Sequence, residues 1–303
     1  MPDLAILYEH PRWFVPLFAA LYARGVDYVA IDVTDHRFDP ASRDLPAPVI
    51  FNRVSMSSFL RAEDHPIFYA ASLLACWQDL GARIVNGPAA LAVDMSKARQ
   101  IALMADLGIA TPRTLAVHRP ADVTSAAEAV GFPLIVKANI GGSGANVARY
   151  DDAPALAKAA ADGVLPQSID RVLLVQEYVP PRGGVTTRVE TLGGEFLYAI
   201  DVASSGENFD LCLADVCAVP GELSMTAAIP SAEIVAGVER IAAAATLDVG
   251  GIEYMIDDRD GTARFYDVNA LSNFVADPLP LLGYDPHERL VDFLVNAIAE
   301  RRA

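Results

Sequence analysis

The stretch GFPLIVKANIGGSGANV (131–147) decides the fold, because it joins an apolar strand pattern to a glycine-rich loop. A lysine lies close to the end of the strand pattern. Glycine lacks a Cβ, so backbone N–H groups of such a loop can approach phosphate oxygens, and the lysine adds a positive charge. We therefore predict a phosphate cradle formed by Lys137, Gly141, Gly142, Ser143 and Gly144.

The order of these residues excludes two common phosphate-binding motifs. In a Walker A loop the lysine follows the glycines and a helix opens after it, whereas here the lysine comes first. The glycine spacing also differs from the G-x-G-x-x-G pattern of dinucleotide-binding proteins. On its own, a Gly-Gly-Ser-Gly run is more often a flexible turn than a phosphate site, so the nucleotide hypothesis depends on the rest of the chain.

The stretch GGIEYMIDDRDGTARFYDVNA (250–270) predicts a β-hairpin whose turn is Asp-Arg-Asp-Gly. Asp267 and Asn269 are two residues apart, so they face the same side of the sheet, and Glu253 can pair across the hairpin on that side. Two carboxylates and an amide oxygen form an all-oxygen site that suits Mg²⁺ bridging phosphates. The alternative is an exposed polar face on an edge hairpin.

Two segments between these motifs carry further candidate residues. VLLVQEYVPP (172–181) is an apolar strand that ends in polar residues and prolines, which suits a hinge whose backbone reads an adenine edge. Arg188 is a lone cation on the next predicted strand. It can stabilise a transferring phosphoryl group, or it can pair with Glu190 or Asp201 at the surface.

The first ninety residues alternate short apolar runs with amphipathic segments, a pattern typical of an α/β unit with a parallel sheet. Asn52, Arg53 and Asn86 follow predicted strands, at the edge where open α/β sheets bind ligands. They can also serve only to cap the strand ends. His10 and Trp13, near the end of the first strand, are candidate substrate contacts.

The predicted fold class is therefore α/β and α+β. Residues 1–92 are predicted to form an N-terminal parallel-sheet domain. Residues 93–175 are predicted to form a small central α+β lid lobe, and residues 176–303 a C-terminal α+β lobe with the metal site.

The composition limits the classes of partner. The chain has 303 residues, 53% of them hydrophobic, and a formal net charge of −16, which disfavours nucleic acid and anionic membranes as partners. Three cysteines are too few for a disulfide framework. The N-terminal residues lack the pattern of a secretory signal, and no apolar run is long enough to span a bilayer. We therefore expect a cytoplasmic protein.

Taken in order, these segments resemble the ATP-grasp superfamily, over roughly residues 84–275 by motif and over the N-terminal unit by pattern. SKARQIALMADLGIATPRT (96–114) resembles its lysine-bearing helix, and LLVQEYV (173–179) its adenine hinge. The segments VNGPAALAVDMSKARQ (85–100) and QEYVPPRGGVTTR (176–188) are similar in layout to its RimK-like branch, which contains the ribosomal-protein glutamate ligase and ligases of lysine biosynthesis.

The resemblance implies ATP as the nucleotide, with two Mg²⁺ ions or Mn²⁺ in their place, and a role for each candidate residue. Lys137 and Arg188 would act in catalysis, and Arg188 would stabilise the charge that develops on phosphoryl transfer. The nucleotide-binding residues would be Lys97, Lys137, Gly141, Gly142, Ser143, Gly144, Glu177, Tyr178, Val179 and Thr186. The metal ligands would be Glu253, Asp267 and Asn269.

The chain also departs from the pattern of this branch. Thr186 stands where an aspartate usually meets the ribose, and the Asn-Pro-Gly turn after the last metal ligand is missing. A basic patch is replaced by a stretch with Asp201, Cys212 and Cys217, and we interpret these two cysteines as thiols rather than zinc ligands. The departures predict a substrate different from those of the named ligases.

The reaction implied by the resemblance is ATP-dependent amide or peptide bond formation between a carboxylate and an amine through an acyl phosphate. Both substrates would be small molecules or peptides, and a homo-oligomer is compatible with the family. Two alternatives keep the nucleotide site. One is a kinase that phosphorylates a hydroxyl, and the other is a non-catalytic ATP-binding module that regulates a partner.

Overall fold

A computed structural model describes residues 1–10, 12–142, 144–204, 223–275 and 277–302. Ser143, Cys212 and Cys217 lie outside these residues, so their roles stay predictions. No described helix is long and apolar enough to cross a membrane.

Three sheets and nine α-helices make up the described part of the chain. The strands are β1 (Leu4–Tyr8), β2 (Tyr28–Asp32), β3 (Val49–Arg53), β4 (Arg83–Val85), β5 (Thr114–Val117), β6 (Leu134–Ala138), β7 (Val147–Tyr150), β8 (Leu173–Glu177), β9 (Pro181–Leu192), β10 (Glu195–Ser204), β11 (Leu223–Ala228), β12 (Val249–Asp257) and β13 (Ala263–Asn269). The helices are α1 (Val15–Ala23), α2 (Pro66–Asp79), α3 (Pro88–Asp94), α4 (Lys97–Asp106), α5 (Val123–Val130), α6 (Ala153–Ala161), α7 (Ala232–Ala244), α8 (Pro278–Leu282) and α9 (Pro286–Arg302).

The first sheet is parallel, with strand order β2-β1-β3-β4. Successive residues of β1 enter different cores: Leu4 and Ile6 pack with α1 and α9, whereas Ala5 and Leu7 pack with α2. Both faces of the strand are therefore buried, which explains why its sequence is continuously apolar rather than alternating.

The second sheet is antiparallel, with order β5-β8-β6-β7, and α5 and α6 pack against one of its faces. We call it the lid sheet. The third sheet is also antiparallel, with order β11-β10-β9-β12-β13. In β10, Ala199 packs towards α7, whereas Tyr198 and Ile200 share a core with β1 of the first sheet. The parallel sheet and the two antiparallel sheets agree with the predicted α/β and α+β class.

The predicted domain boundaries fall inside regular elements. The boundary between residues 92 and 93 lies within α3, and the boundary between residues 175 and 176 lies within β8, which is part of the lid sheet. The division of the chain into three domains stays a prediction.

Asn86, at the end of β4, ties the first sheet to the third. Its side chain is fully buried, and its Nδ2 donates to the carbonyl oxygens of Val249 and Ala270 at 2.7 and 2.6 Å. Its Oδ1 accepts from the N–H groups of Asp248 and Val249 at 3.0 and 3.1 Å. One side chain thus fixes the start of β12 and the residue that follows β13.

Replacing Asn86 should therefore destabilise the protein. In Asn86→Ala four buried backbone groups lose their partner, and an alanine at φ +53° is strained. We expect the free energy of unfolding to fall by about 2–4 kcal/mol, measured by urea denaturation. Asn296→Ala, at an exposed position of α9, is the matched control. A urea midpoint as close to wild type as that of the control would contradict the proposed contribution.

Candidate active site

The three sheets surround a cavity of about 960 Å³. The first sheet contributes Trp13 and residues 55–57 to its wall, and the lid sheet contributes Lys137 and the glycine-rich loop. The predicted site residues that line the cavity are Lys97, Lys137, Gly141, Gly142, Gly144, Glu177, Tyr178, Val179, Thr186, Arg188, Glu253, Asp267 and Asn269. The described candidates thus lie around one cavity, although the lysines, the hinge and the hairpin are far apart in sequence.

The hairpin of β12 and β13 places its three polar residues together. Glu253 is the cross-strand partner of Asp267, and Asn269 lies two residues further along β13. Asn269 Nδ2 lies 3.3 Å from Glu253 Oε1, and Glu253 is buried. Because these side chains line the cavity, the alternative of an exposed polar face on an edge hairpin is wrong.

Two cations from other elements contact these carboxylates. Lys97, the first residue of α4, donates from Nζ to Asp267 Oδ1. Arg188 of β9 donates from Nη1 to Glu253 Oε1 at 3.0 Å and from Nε to Glu190 Oε1 at 2.6 Å. Glu190 is one of the two predicted partners of Arg188, but the Arg188 side chain is only 12% exposed, so this ion pair is buried rather than at the surface.

Burial and neighbouring charges shift the pKa values of this cluster. Burial raises the pKa of Glu253, although Arg188 opposes the shift. Burial would also raise the pKa of Asp267, but the charge and hydrogen bond of Lys97 outweigh it and lower the pKa. Burial, together with the charge of Lys97, lowers the pKa of Lys137 to about 7. A phosphate beside Lys137 would favour its charged form, so anion binding and protonation would reinforce each other.

A buried asparagine fixes the two lysine-bearing elements relative to each other. Asn139 lies two residues after Lys137, and its carbonyl oxygen accepts from the N–H of Lys97 at 3.3 Å. Its Oδ1 accepts from the Ala98 N–H at 2.9 Å, and its Nδ2 donates to Asp170 at 2.6 Å. The N-terminus of α4 is therefore attached to the end of β6, which sets the spacing of the two lysines.

The predicted hinge is held by its glutamate side chain. Glu177 Oε1 accepts from the N–H of Arg113 at 2.8 Å, and its Oε2 accepts from Arg259 in the hairpin turn at 3.0 Å. Both oxygens of the Glu177 carboxylate therefore accept hydrogen bonds from the protein itself. In the described part of the chain, the N–H of Val179 forms no hydrogen bond to another backbone group, so it remains able to meet a ligand at the cavity wall.

The glycine-rich loop packs against the first sheet at one point. A Cβ on Gly142 would lie 2.9 Å from the Ser57 Cβ and 3.1 Å from the Ser57 nitrogen, closer than real contacts allow. A Cβ on Gly141 would meet nothing nearer than 3.8 Å. Gly144 has a φ of +67°, which favours glycine. The loop therefore needs glycine at 142 for close approach and at 144 for its backbone.

Three predicted strand-end residues do not line the cavity. Arg53 donates to the carbonyl oxygen of Ser272, and Asn52 Nδ2 donates to the carbonyl oxygen of Asn86 at 3.2 Å. Like Asn86, they hold the protein's own loops. Of the two candidate substrate contacts, Trp13 lines the cavity, whereas His10 stacks on the Trp13 ring with centroids 4.3 Å apart.

Sequence reasoning missed several residues of the site. Asn139 could have been found, because an asparagine two residues after a strand lysine faces the same way as the lysine. Asp94, at the end of α3, lines the cavity, and burial beside Asp267 raises its pKa to about 7. No sequence signal marks the contact of Ser57 with the glycine loop, because the two segments are about eighty residues apart.

The hairpin residues fit a magnesium ion by their chemistry. They provide two carboxylates and one amide oxygen, all hard ligands. The described residues contain no group of three His, Cys, Asp or Glu side chains that could hold a metal, so the hairpin set has only two carboxylates and its third ligand is the amide. Mg²⁺ is typically held by one or two carboxylates and completes its shell with water and substrate phosphates. A small acidic set beside two lysines is consistent with such an ion.

Comparison with known proteins agrees with this geometry. Residues 94–274 match the RimK-like ATP-grasp domain. The chain is 27% identical over 212 residues to "Probable alpha-L-glutamate ligase 2" of Shewanella frigidimarina, covering 65% of this chain and 67% of that protein. It is 31% identical over 137 residues to "Ribosomal protein bS6--L-glutamate ligase" of Shigella boydii, covering 44% of each. The chain therefore spans less than half of the latter relative.

A solved structure shows the same fold. The D-alanine–D-alanine ligase of Bacillus anthracis, complexed with ATP, superimposes with a TM-score of 0.70 at 15% identity, covering 100% of this chain and 99% of that one. Because the family match covers more than half of the chain, the protein belongs to the RimK-like ATP-grasp family. The predictions of an ATP-grasp fold and of an ADP-forming ligase that makes C–N bonds are confirmed.

The contact between Gly142 and Ser57 predicts a sensitive position in the loop. Gly142→Ala should hold the loop away from the first sheet and weaken binding of a non-hydrolysable MgATP analogue roughly tenfold, measured by calorimetry. Gly141→Ala, whose Cβ has ordinary van der Waals separation, is the matched control. Equal affinities for the two variants would show that the close approach does not matter for nucleotide binding.

The position of Asn139 predicts a second effect on nucleotide binding. Asn139→Ala removes the side-chain hydrogen bonds to the Ala98 N–H of α4 and to Asp170 and leaves only the backbone bond to Lys97, so the spacing of the two lysines is held less firmly. We expect affinity for the same MgATP analogue to fall roughly tenfold while the far-ultraviolet circular dichroism stays native. Asn296→Ala again serves as the control. Unchanged affinity in a folded Asn139→Ala protein would rule out this positioning role.

Proposed function

We propose that this protein condenses a carboxylate with an amine at the described cavity, using the candidate residues in the roles that the resemblance implies. The observation that carries the proposal is the convergence of Glu253, Asp267 and Asn269 with Lys97, Lys137 and Arg188 around one cavity. A cluster of hard oxygen ligands beside three cations suits a polyphosphate and its metal ion.

The nucleotide would lie between the lid sheet and the third sheet. The N–H of Val179 would meet the adenine edge, with Glu177 holding the hinge in place and Tyr178 flanking the base. Thr186, whose side chain lines the cavity between hinge and cations, would contact the ribose. Lys97, Lys137 and the glycine-rich loop would hold the phosphates. Glu253, Asp267 and Asn269 would hold Mg²⁺, which neutralises phosphate charge when bound.

In the first half of the reaction a carboxylate oxygen attacks the γ-phosphorus and ADP leaves. Phosphoryl transfer needs alignment and charge stabilisation rather than covalent help from the protein. Arg188 is suited to this role because Glu190 and Glu253 hold its guanidinium rigidly at the cavity wall. A fixed charge needs no reorganisation when the transition state forms.

In the second half an amine attacks the acyl carbon and phosphate leaves. Water must be kept out, because an acyl phosphate that meets water is lost to hydrolysis. Gly142 lies close to Ser57, and a glycine-rich loop that packs there is suited to covering the reacting groups. We expect small-molecule or peptide substrates, no nucleic-acid partner and a homo-oligomer. We also expect a cytoplasmic location.

The test is ADP release from MgATP across a panel of carboxylates, with and without amines. We expect ADP release that requires both substrates, and a loss of at least about 100-fold in Asp267→Asn, because one metal ligand and the partner of Lys97 change together. Asp292→Asn, half-exposed on α9, is the matched control. ADP release with an alcohol and no amine would identify a kinase instead, and tight MgATP binding without turnover would favour the regulatory module.

A further inference from the structure

Among the described residues, those that line the end of the cavity facing the first sheet include no charged side chain. This end is formed by Trp13, residues 55–57 and residues 271–274, which are serine, methionine, leucine, asparagine and aromatic side chains. We call this surface the neutral wall. Its residues follow β1, β3 and β13, whereas the hinge follows β8. In the proposed function a substrate would meet the nucleotide beside this wall.

One arginine that contacts residues of the neutral wall is already paired. Arg61 donates from Nε and Nη2 to the two carboxylate oxygens of Glu9, at 3.1 and 2.5 Å, and from Nη1 to Ser57 Oγ at 3.2 Å. Its guanidinium also stacks over the Trp13 ring, 4.6 Å from the centroid. Arg61 does not line the cavity. It supports the neutral wall from behind and is committed to Glu9.

A second arginine behind the wall is also unavailable to a ligand. Arg53 is completely buried, and its Nη2 donates to the Ser272 carbonyl oxygen and lies 3.4 Å from Asn273 Oδ1. The guanidinium packs 5.2 and 5.0 Å from the ring centroids of Phe14 and Phe51. Its remaining nitrogens are inaccessible to solvent and do not reach the cavity surface.

The cations that do line the described cavity lie elsewhere. Lys97 and Lys137 belong to the phosphate region, and Arg149 stacks 4.0 Å from the centroid of the hinge residue Tyr178. Arg188 is held by Glu190 and Glu253, and in the proposed function it stabilises the transferring phosphoryl group. The sequence of residues 205–222 contains four carboxylates and no lysine, arginine or histidine.

A side-chain carboxylate, in addition to the α-carboxylate that every amino acid carries, would therefore bury a further charge against a surface without a compensating cation, which is strongly unfavourable. We propose that the neutral wall makes this enzyme selective for small carboxylic acids or amino acids with uncharged side chains, and that it discriminates against glutamate and aspartate. The inference rests on the proposed ligase function, and it names the substrate class of the same site.

Pairs of substrates that differ by one charge test the inference directly. The full-length protein with MgATP is incubated with alanine, serine, glutamine, glutamate, asparagine and aspartate in all pairwise combinations, and condensed products are measured by mass spectrometry together with ADP. We expect product from neutral pairs, and glutamine and asparagine should each be preferred over their acids by at least about tenfold.

A parallel binding measurement keeps the inference independent of turnover. The same six amino acids are titrated into protein saturated with a non-hydrolysable MgATP analogue. Amide formation with the acids at rates equal to or above those of the amides would overturn the neutral-wall inference and leave the ligase function intact. ADP release without any amide product would instead overturn the ligase function. Failure of every neutral amino acid both to bind and to react would overturn the inference.

A variant that adds a positive charge to the neutral wall, compared with an uncharged variant at the same position, tests the inference. Leu271 is half-buried and lines the cavity, so Leu271→Lys places a cation where a second carboxylate would lie. The glutamate-to-glutamine ratio should then rise by at least about tenfold, through a charge-assisted contact. Leu271→Met changes the side chain without adding charge and should keep the wild-type ratio. A ratio that moves equally in both variants would show that shape, not charge, sets the preference.

Discussion

The pairing of buried charges at the hairpin is the constraint on which the rest of the structure depends. Glu253 and Asp267 are removed from bulk water, so each needs a positive partner, and the partners come from β9 and α4 rather than from the hairpin itself. Breaking either pair would leave an isolated charge inside the protein. The third sheet, the lysine-bearing helix and the cavity must therefore assemble together.

The first sheet acts on this cluster through its strand ends. Asn86 and Arg53 hold the segment that leaves β13, and Asn86 also holds the start of β12. Polar residues at the carboxyl edge of a parallel sheet usually suggest a ligand. Here the polar residues at that edge bind the protein's own backbone instead. The first sheet thus shapes the cavity by fixing the chain around the hairpin of β12 and β13.

Local patterns were enough to predict the hairpin and the position of its three polar residues, because side chains on a strand alternate between faces and the turn is strongly encoded. The same holds for the lysine strand with its glycine loop. The link between Asn139 and α4, the contact of Ser57 with Gly142 and the pairing of Arg61 with Glu9 could not be predicted. These contacts join distant segments through single side chains, and no periodicity records them.

The ion pair between Arg259 and Glu177 joins the hairpin turn to the end of the lid sheet. Strand β12 runs from that turn to Glu253, so its residues from Asp257 to Glu253, roughly 13 Å long at the rise of an extended strand, connect the turn with the acidic cluster. Any swing of the lid sheet that keeps this ion pair must pivot at the hinge. The opposite end of the lid sheet is tied to α4 through Asn139, so the glycine-rich loop could move away only if those hydrogen bonds were released, while the hinge and the acidic cluster would keep their separation.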